Sequence, residues 1–224
     1  MKLSKDTIDI LKNFSNINPH LHIKKGSSLV VMNPDENLFA KAAIVEEFPN
    51  AVRIYDMNQL LGTISLIPNA ELEFGDKSVV ISEGSKSIEY LYADQFMVPE
   101  TPEVRLTPDK VVLTCTLSNA VLDTAQKAAA LFSAKTFSII GKGDEAILLV
   151  GKQGASKSHS YKHVIGPCTE TFEYIFALDH LKIIPDKYDA TLGSRGKGDE
   201  AQGIMHLKGK AVSYWIAVDK ESTL

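Results

Sequence analysis

The stretch that most invites a catalytic reading is Ala146–Ser158, AILLVGKQGASKS, where an apolar run enters a loop of Gly, Lys and Ser. Such a loop could cradle phosphate through its backbone N–H groups. The phosphate-binding pattern places Gly directly before Lys-Ser, however, and here Ser156 stands before Lys157-Ser158. The next residues, HSYKHVIGPC, alternate as a strand does and offer no helix N-terminus to an anion. No second acidic strand end stands out as a magnesium partner. A nucleotide-handling enzyme centred on Gly151–Ser158 is therefore the alternative reading rather than the first. His159 and His163, with Cys168 nearby, have a spacing that would suit a metal on a helix. On a strand, residues four apart share a face but stand too far apart to chelate. His20 and His22 also fall in a strand-like run. No zinc-ligand set is complete, and no Ser-His-Asp or Cys-His arrangement is evident. The expectation is a protein without catalytic residues, metal or cofactor, and not an enzyme.

The other residues with a chemical use are lysines on amphipathic segments. Met1–Ile17, MKLSKDTIDILKNFSNI, reads as a helix with Ser4 as N-cap and Asp6 in the first turn. Ile10, Phe14 and Ile17 fall at helical spacing, as do Thr7, Leu11 and Phe14. Lys5 and Lys12, seven residues apart, share the other face, with Asp9 between them. Leu117–Phe132, LSNAVLDTAQKAAALF, opens on the same Leu-Ser pair and carries Asp123 at the offset of Asp9. Its apolar stripe is Leu122, Ala125, Ala129 and Phe132, and its opposite face is Asn119, Asp123, Lys127 and Ala130.

The 224 residues are 44% hydrophobic and 23% charged, which suits one large or two small globular domains. The net charge of −4 does not indicate an ordinary basic nucleic-acid binder. No apolar run reaches membrane-spanning length, and no secretory signal is evident. Cys115 and Cys168 are expected to be free thiols, and the chain to be cytosolic.

In order, the first helix is followed by strands at Leu21–Lys25, Ser28–Met32, Leu38–Val45 and Ala51–Tyr55. A helix is expected over Asp56–Ile67, capped by Asp56 and stopped by Pro68-Asn69, with Gly62 weakening its middle. Strands follow at Ala70–Phe74, Ser78–Ser82 and Ser87–Ala93. Asp94–Asp109, with three prolines and no periodicity, reads as a connector. The same order then returns. A strand at Val111–Cys115 leads into the Leu117 helix, and strands follow at Thr136–Gly141, Ala146–Val150, His159–Ile165 and Phe172–Phe176. A short helix at Leu178–Ile184 and strands at Tyr188–Gly193, Gly203–Lys208 and Ala211–Val218 complete it. Ile67-Pro68-Asn69 echoes Ile184-Pro185-Asp186, and Lys86–Ala93 echoes Lys210–Ala217. Two halves that align in order and spacing point to a duplicated α+β unit: domains at 1–93 and 110–224 joined by 94–109. Each is an antiparallel sheet with two helices on one face. The hexapeptide Gly-Lys-Gly-Asp-Glu-Ala occurs at Gly141–Ala146 and Gly196–Ala201, and reads as a turn in both places.

The opening MKLSKDT with ILKNF after it, the central IYDMNQLLGTISL and the closing YWIAVDKEST resemble the DNA polymerase sliding clamps of T-even-type bacteriophages. The resemblance runs the whole length and is loosest at Asn33–Asn50 and Ser194–Ala201. It implies a processivity-clamp fold, in which three two-domain subunits close head to tail around duplex DNA. Helices would line the hole, an ATP-driven clamp loader would open the ring, and the DNA polymerase would dock through a short peptide. A sliding contact must be weak and blind to sequence, which a few lysines aimed at phosphates supply. The resemblance implies Lys5 and Lys12 on the first helix, Lys127 on its duplicate and Lys182 on the fourth as pore residues, with Lys2 and Lys135 flanking. The second helix carries no basic residue and offers Asn58 and Gln59 instead. The partner-peptide pocket is expected near the connector and carboxyl end: Met97, Val98, Val104, Leu106, Trp215, Thr223 and Leu224. Ser87–Ala93 and Ser158–Ile165 are the candidate subunit-interface strands by the same analogy. A duplicated scaffold that does not bind DNA, such as a virion component, would share this fold without needing lysines aligned on helices.

Overall fold

A computed structural model describes residues 1–102, 107–151, 159–196, 201–219 and 222. The chain forms two compact units, Met1–Glu103 and Val104–Leu224.

In the first unit, the side chain of Ser4 accepts from the Thr7 N–H at 3.2 Å and starts α1 (Lys5–Ile17). The helix buries Thr7, Ile10, Leu11 and Phe14 of the expected stripe, leaves Ile17 half-buried, and buries Ser15, which the spacing did not include. Strands β1 (Leu21–Ile23), β2 (Gly26–Met32), β3 (Leu38–Phe48) and β4 (Val52–Ile54) follow. Strand β3 runs to Phe48, past the expected end at Val45, and Phe48 pairs with Gly26 across a register shift in the β2–β3 ladder. Asp56 accepts from the N–H groups of Asn58 (2.9 Å) and Gln59 (3.1 Å) and starts α2 (Met57–Ser65). Helix α2 packs beside α1, where the Ser15 hydroxyl donates to Asn58 Oδ1 at 2.8 Å. Strands β5 (Glu71–Phe74), β6 (Ser78–Glu83) and β7 (Lys86–Leu91) form an antiparallel meander.

In the second unit, β8 (Lys110–Leu117) leads into α3 (Asn119–Phe132), capped by Ser118 on the Val121 N–H. The helix begins two residues later than expected because Leu117 is the buried last residue of β8, paired with Tyr188. Strands β9 (Thr136–Lys142), β10 (Glu145–Gly151), β11 (Ser160–Pro167) and β12 (Thr171–Ala177) form a sheet in the order β11-β10-β9-β12. Strands β13 (Tyr188–Arg195), β14 (Gln202–Lys208) and β15 (Val212–Ala217) follow, and β8 pairs with β13.

The helix expected over Leu178–Ile184 is a single 3₁₀ turn, Leu178–Leu181, with no side-chain cap. Pro185 biases Ile184 away from helical geometry. Both backbone groups of Ile184 are also taken by tyrosines: its N–H donates to the Tyr214 hydroxyl at 3.2 Å, and its carbonyl accepts from Tyr188. The unit therefore has one α-helix and one 3₁₀ turn among its described residues.

The internal repeat is visible in the pairing. Strand β1 pairs with β4 as β9 pairs with β12, and β2 pairs with β3 as β10 pairs with β11. The meander β5-β6-β7 matches β13-β14-β15. The partner of β13 is β8, and the equivalent place beside β5 is held by Met1, whose carbonyl accepts from Leu72 N at 2.7 Å and whose amino group donates to Leu72 O at 2.8 Å.

Candidate nucleic-acid interface

Helix α1 is oriented by a residue that sequence reading alone passes over. Glu46 on β3 accepts the Ser4 N–H with one carboxylate oxygen and the Thr7 hydroxyl with the other. Burial works against the Glu46 charge, but the bonds from Thr7 and Ser4 outweigh it and hold its carboxyl below the usual range. A negative charge at the first turn also suits the positive end of the helix dipole. This clamp fixes which way the outer face of α1 points. Helix α3 lies against β10, β11 and the 3₁₀ turn, and the Gln126 amide donates to the Leu181 carbonyl.

All six expected pore lysines, Lys2, Lys5, Lys12, Lys127, Lys135 and Lys182, are exposed. Lys5 and Lys12 stand on α1 and Lys127 on α3, while Lys182 is the residue that closes the 3₁₀ turn rather than a helix-borne one. Helix α2 presents Asn58, Gln59 and Gly62 and carries no charge within its span. Lys12 pairs with Asp9 at 3.7 Å, Lys127 with Asp123 at 2.7 Å, Lys182 with Asp179 at 2.7 Å and Lys2 with Glu71 at 3.8 Å. The hydrogen bond and the charge of Lys182 together hold the Asp179 carboxyl below its usual range.

The residues expected to receive a partner peptide differ in setting. Val98 is buried, and its carbonyl accepts from Arg53 Nε at 3.1 Å. Met97 beside it is exposed. Both sit on a turn in which the Asp94 carbonyl accepts from the N–H groups of Met97 and Val98. The same turn exposes Phe96 by 89%, a residue the sequence reading did not single out although it adjoins Met97. Trp215 is half-buried and stacks on His206, centroids 4.5 Å apart and planes 6° from parallel. Val104, Leu106, Thr223 and Leu224 lie outside the described residues.

The competing phosphate loop meets a topological obstacle. Strands β10 and β11 on either side of it are antiparallel neighbours, with Gly151 opposite Ser160, so the loop connects a hairpin instead of delivering a strand to a helix N-terminus. Residues 152–158 themselves lie outside those described. His163 stacks with Tyr161 and His159 with Phe132, and no group of three metal-ligating side chains occurs among the described residues. Cys115 and Cys168 are free. Burial first, and Cys168 second, push the Cys115 thiol up to about 11, where it is inert. Among the described residues no helix is long and apolar enough to cross a membrane.

No family model matches the chain. It is, however, 30% identical to the sliding clamp of Vibrio phage KVP40, in a match covering 98% of this chain and 99% of that one. The chain belongs to the sliding clamp family. It is 27% identical to the sliding clamp of Enterobacteria phage T4, over 100% of this chain and 99% of that one. The fold agrees with solved clamps at much lower identity. The PCNA of Thermococcus kodakaraensis superposes with a TM-score of 0.66 at 13% identity, over 96% of both chains. The A. fulgidus PCNA bound to the C-terminal region of FEN-1 superposes at 0.59 with 15% identity, over 96% of this chain and 95% of that one. None of these similarities favours the nucleotide-handling alternative.

Proposed function

We propose that three copies of this clamp close head to tail into a ring around duplex DNA, and that the ring tethers the replicative polymerase in the host cytoplasm. The full-length match to phage sliding clamps carries this reading. Two features of the fold support it. The strands nominated for the subunit interface are both at the ends of their sheets: β7 ends the β5-β6-β7 meander, and β11 ends the order β11-β10-β9-β12. Each carries an exposed apolar residue, Leu91 at 69% and Val164 at 55%, on an edge whose backbone groups can pair with another chain. The second feature is the set of exposed lysines on the outer faces of α1, α3 and the 3₁₀ turn, suited to phosphate contact without base readout.

In this reading the polymerase binds through a peptide near Met97, Val98 and the carboxyl end; the A. fulgidus PCNA, which shares the fold, has the C-terminal region of FEN-1 bound to it. An ATP-driven loader opens the ring, and the protein itself performs no chemistry. The test is a variant with Lys5, Lys12, Lys127 and Lys182 all replaced by Ala. Its solution mass should match that of the parent, while its binding to duplex DNA at low salt falls and polymerase processivity drops with it. Unchanged processivity would refute the pore assignment.

A further inference from the structure

Each basic helical segment carries its own carboxylate one turn before its lysine. Asp9 precedes Lys12 on α1, Asp123 precedes Lys127 on α3, and Asp179 precedes Lys182 at the 3₁₀ turn. Within α1 there are two lysines and two aspartates, within α3 one of each, within 178–182 one of each, and within α2 none. The segments that would face DNA are therefore electrically neutral. The pattern also repeats between the halves. Asp9 and Asp123 both lie five residues after a serine N-cap, Ser4 and Ser118, so the carboxylate occupies the same helical position in both copies of the unit.

We propose that Asp9, Asp123 and Asp179 are built into the DNA face to weaken it, by holding the neighbouring lysines in exchangeable ion pairs. The proposal rests on the pore reading above. A phosphate that approaches Lys127 meets an ammonium already 2.7 Å from a carboxylate oxygen, and it is repelled by that same carboxylate. Exposed pairs of this kind are weak enough for a phosphate to displace. Lys12, Lys127 and Lys182 then pass between their aspartates and successive phosphates, never left uncompensated and never held for long. Binding stays shallow, fewer counterions are released than the lysine number suggests, and the potential along the duplex is smooth. For a ring held by topology, a shallow contact suffices, and a deep one would slow its travel.

The experiment compares three proteins on a labelled 40-bp linear duplex by fluorescence anisotropy across a NaCl series. The first is the parent. The second carries Asp9→Asn, Asp123→Asn and Asp179→Asn. The third has the same charge change in turns away from the helices: Asp35→Asn, Asp76→Asn and Glu170→Gln. The helix variant should bind at least tenfold more tightly at low salt. Its plot of log K against log salt should steepen by roughly 0.9 for each lysine released to a phosphate. The turn variant should stay within about threefold of the parent. Equal affinity and slope for parent and helix variant would overturn the proposal, as would an equal gain in the turn variant. Asp123→Asn alone should give a smaller shift of the same sign should the triple change disturb folding. The four-lysine variant separates the two levels. If it binds as the parent does, the pore reading itself fails. If it loses binding while the aspartate changes do nothing, only the weakening role is refuted.

Discussion

Replacing Glu46 by Ala should release the start of α1 from β3. The structure gives the magnitude. Glu46 accepts two bonds, from the Ser4 N–H and the Thr7 hydroxyl, and bonds to a charged group contribute about 1.5–3 kcal/mol each when well shielded. Glu46 is only partly buried, so water recovers part of each, and Thr7 keeps its contact with the Ser4 hydroxyl at 3.1 Å. A net loss of about 2 kcal/mol follows, which for a chain of this length lowers Tm by about 4–8 °C. Glu46→Gln should lose about half as much. The pH dependence adds a sign. The Glu46 carboxyl is held below its ordinary value in the folded chain. Its contribution is therefore complete above the unfolded pKa, near 4.5, and fades as the pH falls through the lower folded value. The assay is thermal melting followed by circular dichroism at pH 7.5 and again near pH 4. The gap between parent and Glu46→Ala should be several degrees at pH 7.5 and should narrow in acid. A variant that melts within 1 °C of the parent at pH 7.5, or a gap equal at both pH values, would refute the reasoning.

Phe14 is fully buried under α1, so Phe14→Ala should destabilise the chain by about 3–5 kcal/mol in urea denaturation; a loss below about 1 kcal/mol would mean the helix is not seated as described. Val164→Glu on β11 and Leu91→Glu on β7 replace exposed edge residues, so each should leave the circular dichroism spectrum unchanged while shifting the solution mass from trimer to monomer. A trimer that survives both changes would exclude these strands as the interface. The four-lysine variant should weaken duplex binding and flatten its salt dependence, measured by anisotropy, without altering mass.

What could be read from the residues was mostly local. Ser4 and Asp56 announced two helices because each cap needs only a side chain and the next turn of its own chain, while the Leu-Ser pair repeated at Leu117 marked a third without showing that Ser118 is its cap. The repeat was legible because both halves must solve the same packing problem, and the shared Ile-Pro-Asn/Asp turn marks the same place in each. The 3₁₀ turn is shorter than the helix expected over Leu178–Ile184 because what ends it is remote: Tyr188 and Tyr214 take the Ile184 backbone. Glu46 was illegible for a related reason, since its partners lie 39 and 42 residues away. In the proposed DNA face, the lysines are visible by helical position. Asp9 and Asp123 show in the sequence as a repeated offset and Asp179 does not stand out there, because a pair becomes a property of the site only once both side chains are placed.

Ring closure is tested most directly by solution mass, measured by light scattering on a sizing column across a concentration series. A trimeric ring gives a species of three times the 24.5 kDa subunit, holding over the range. A species that remains at 24.5 kDa at the highest concentration would contradict it, because a single subunit cannot enclose the duplex.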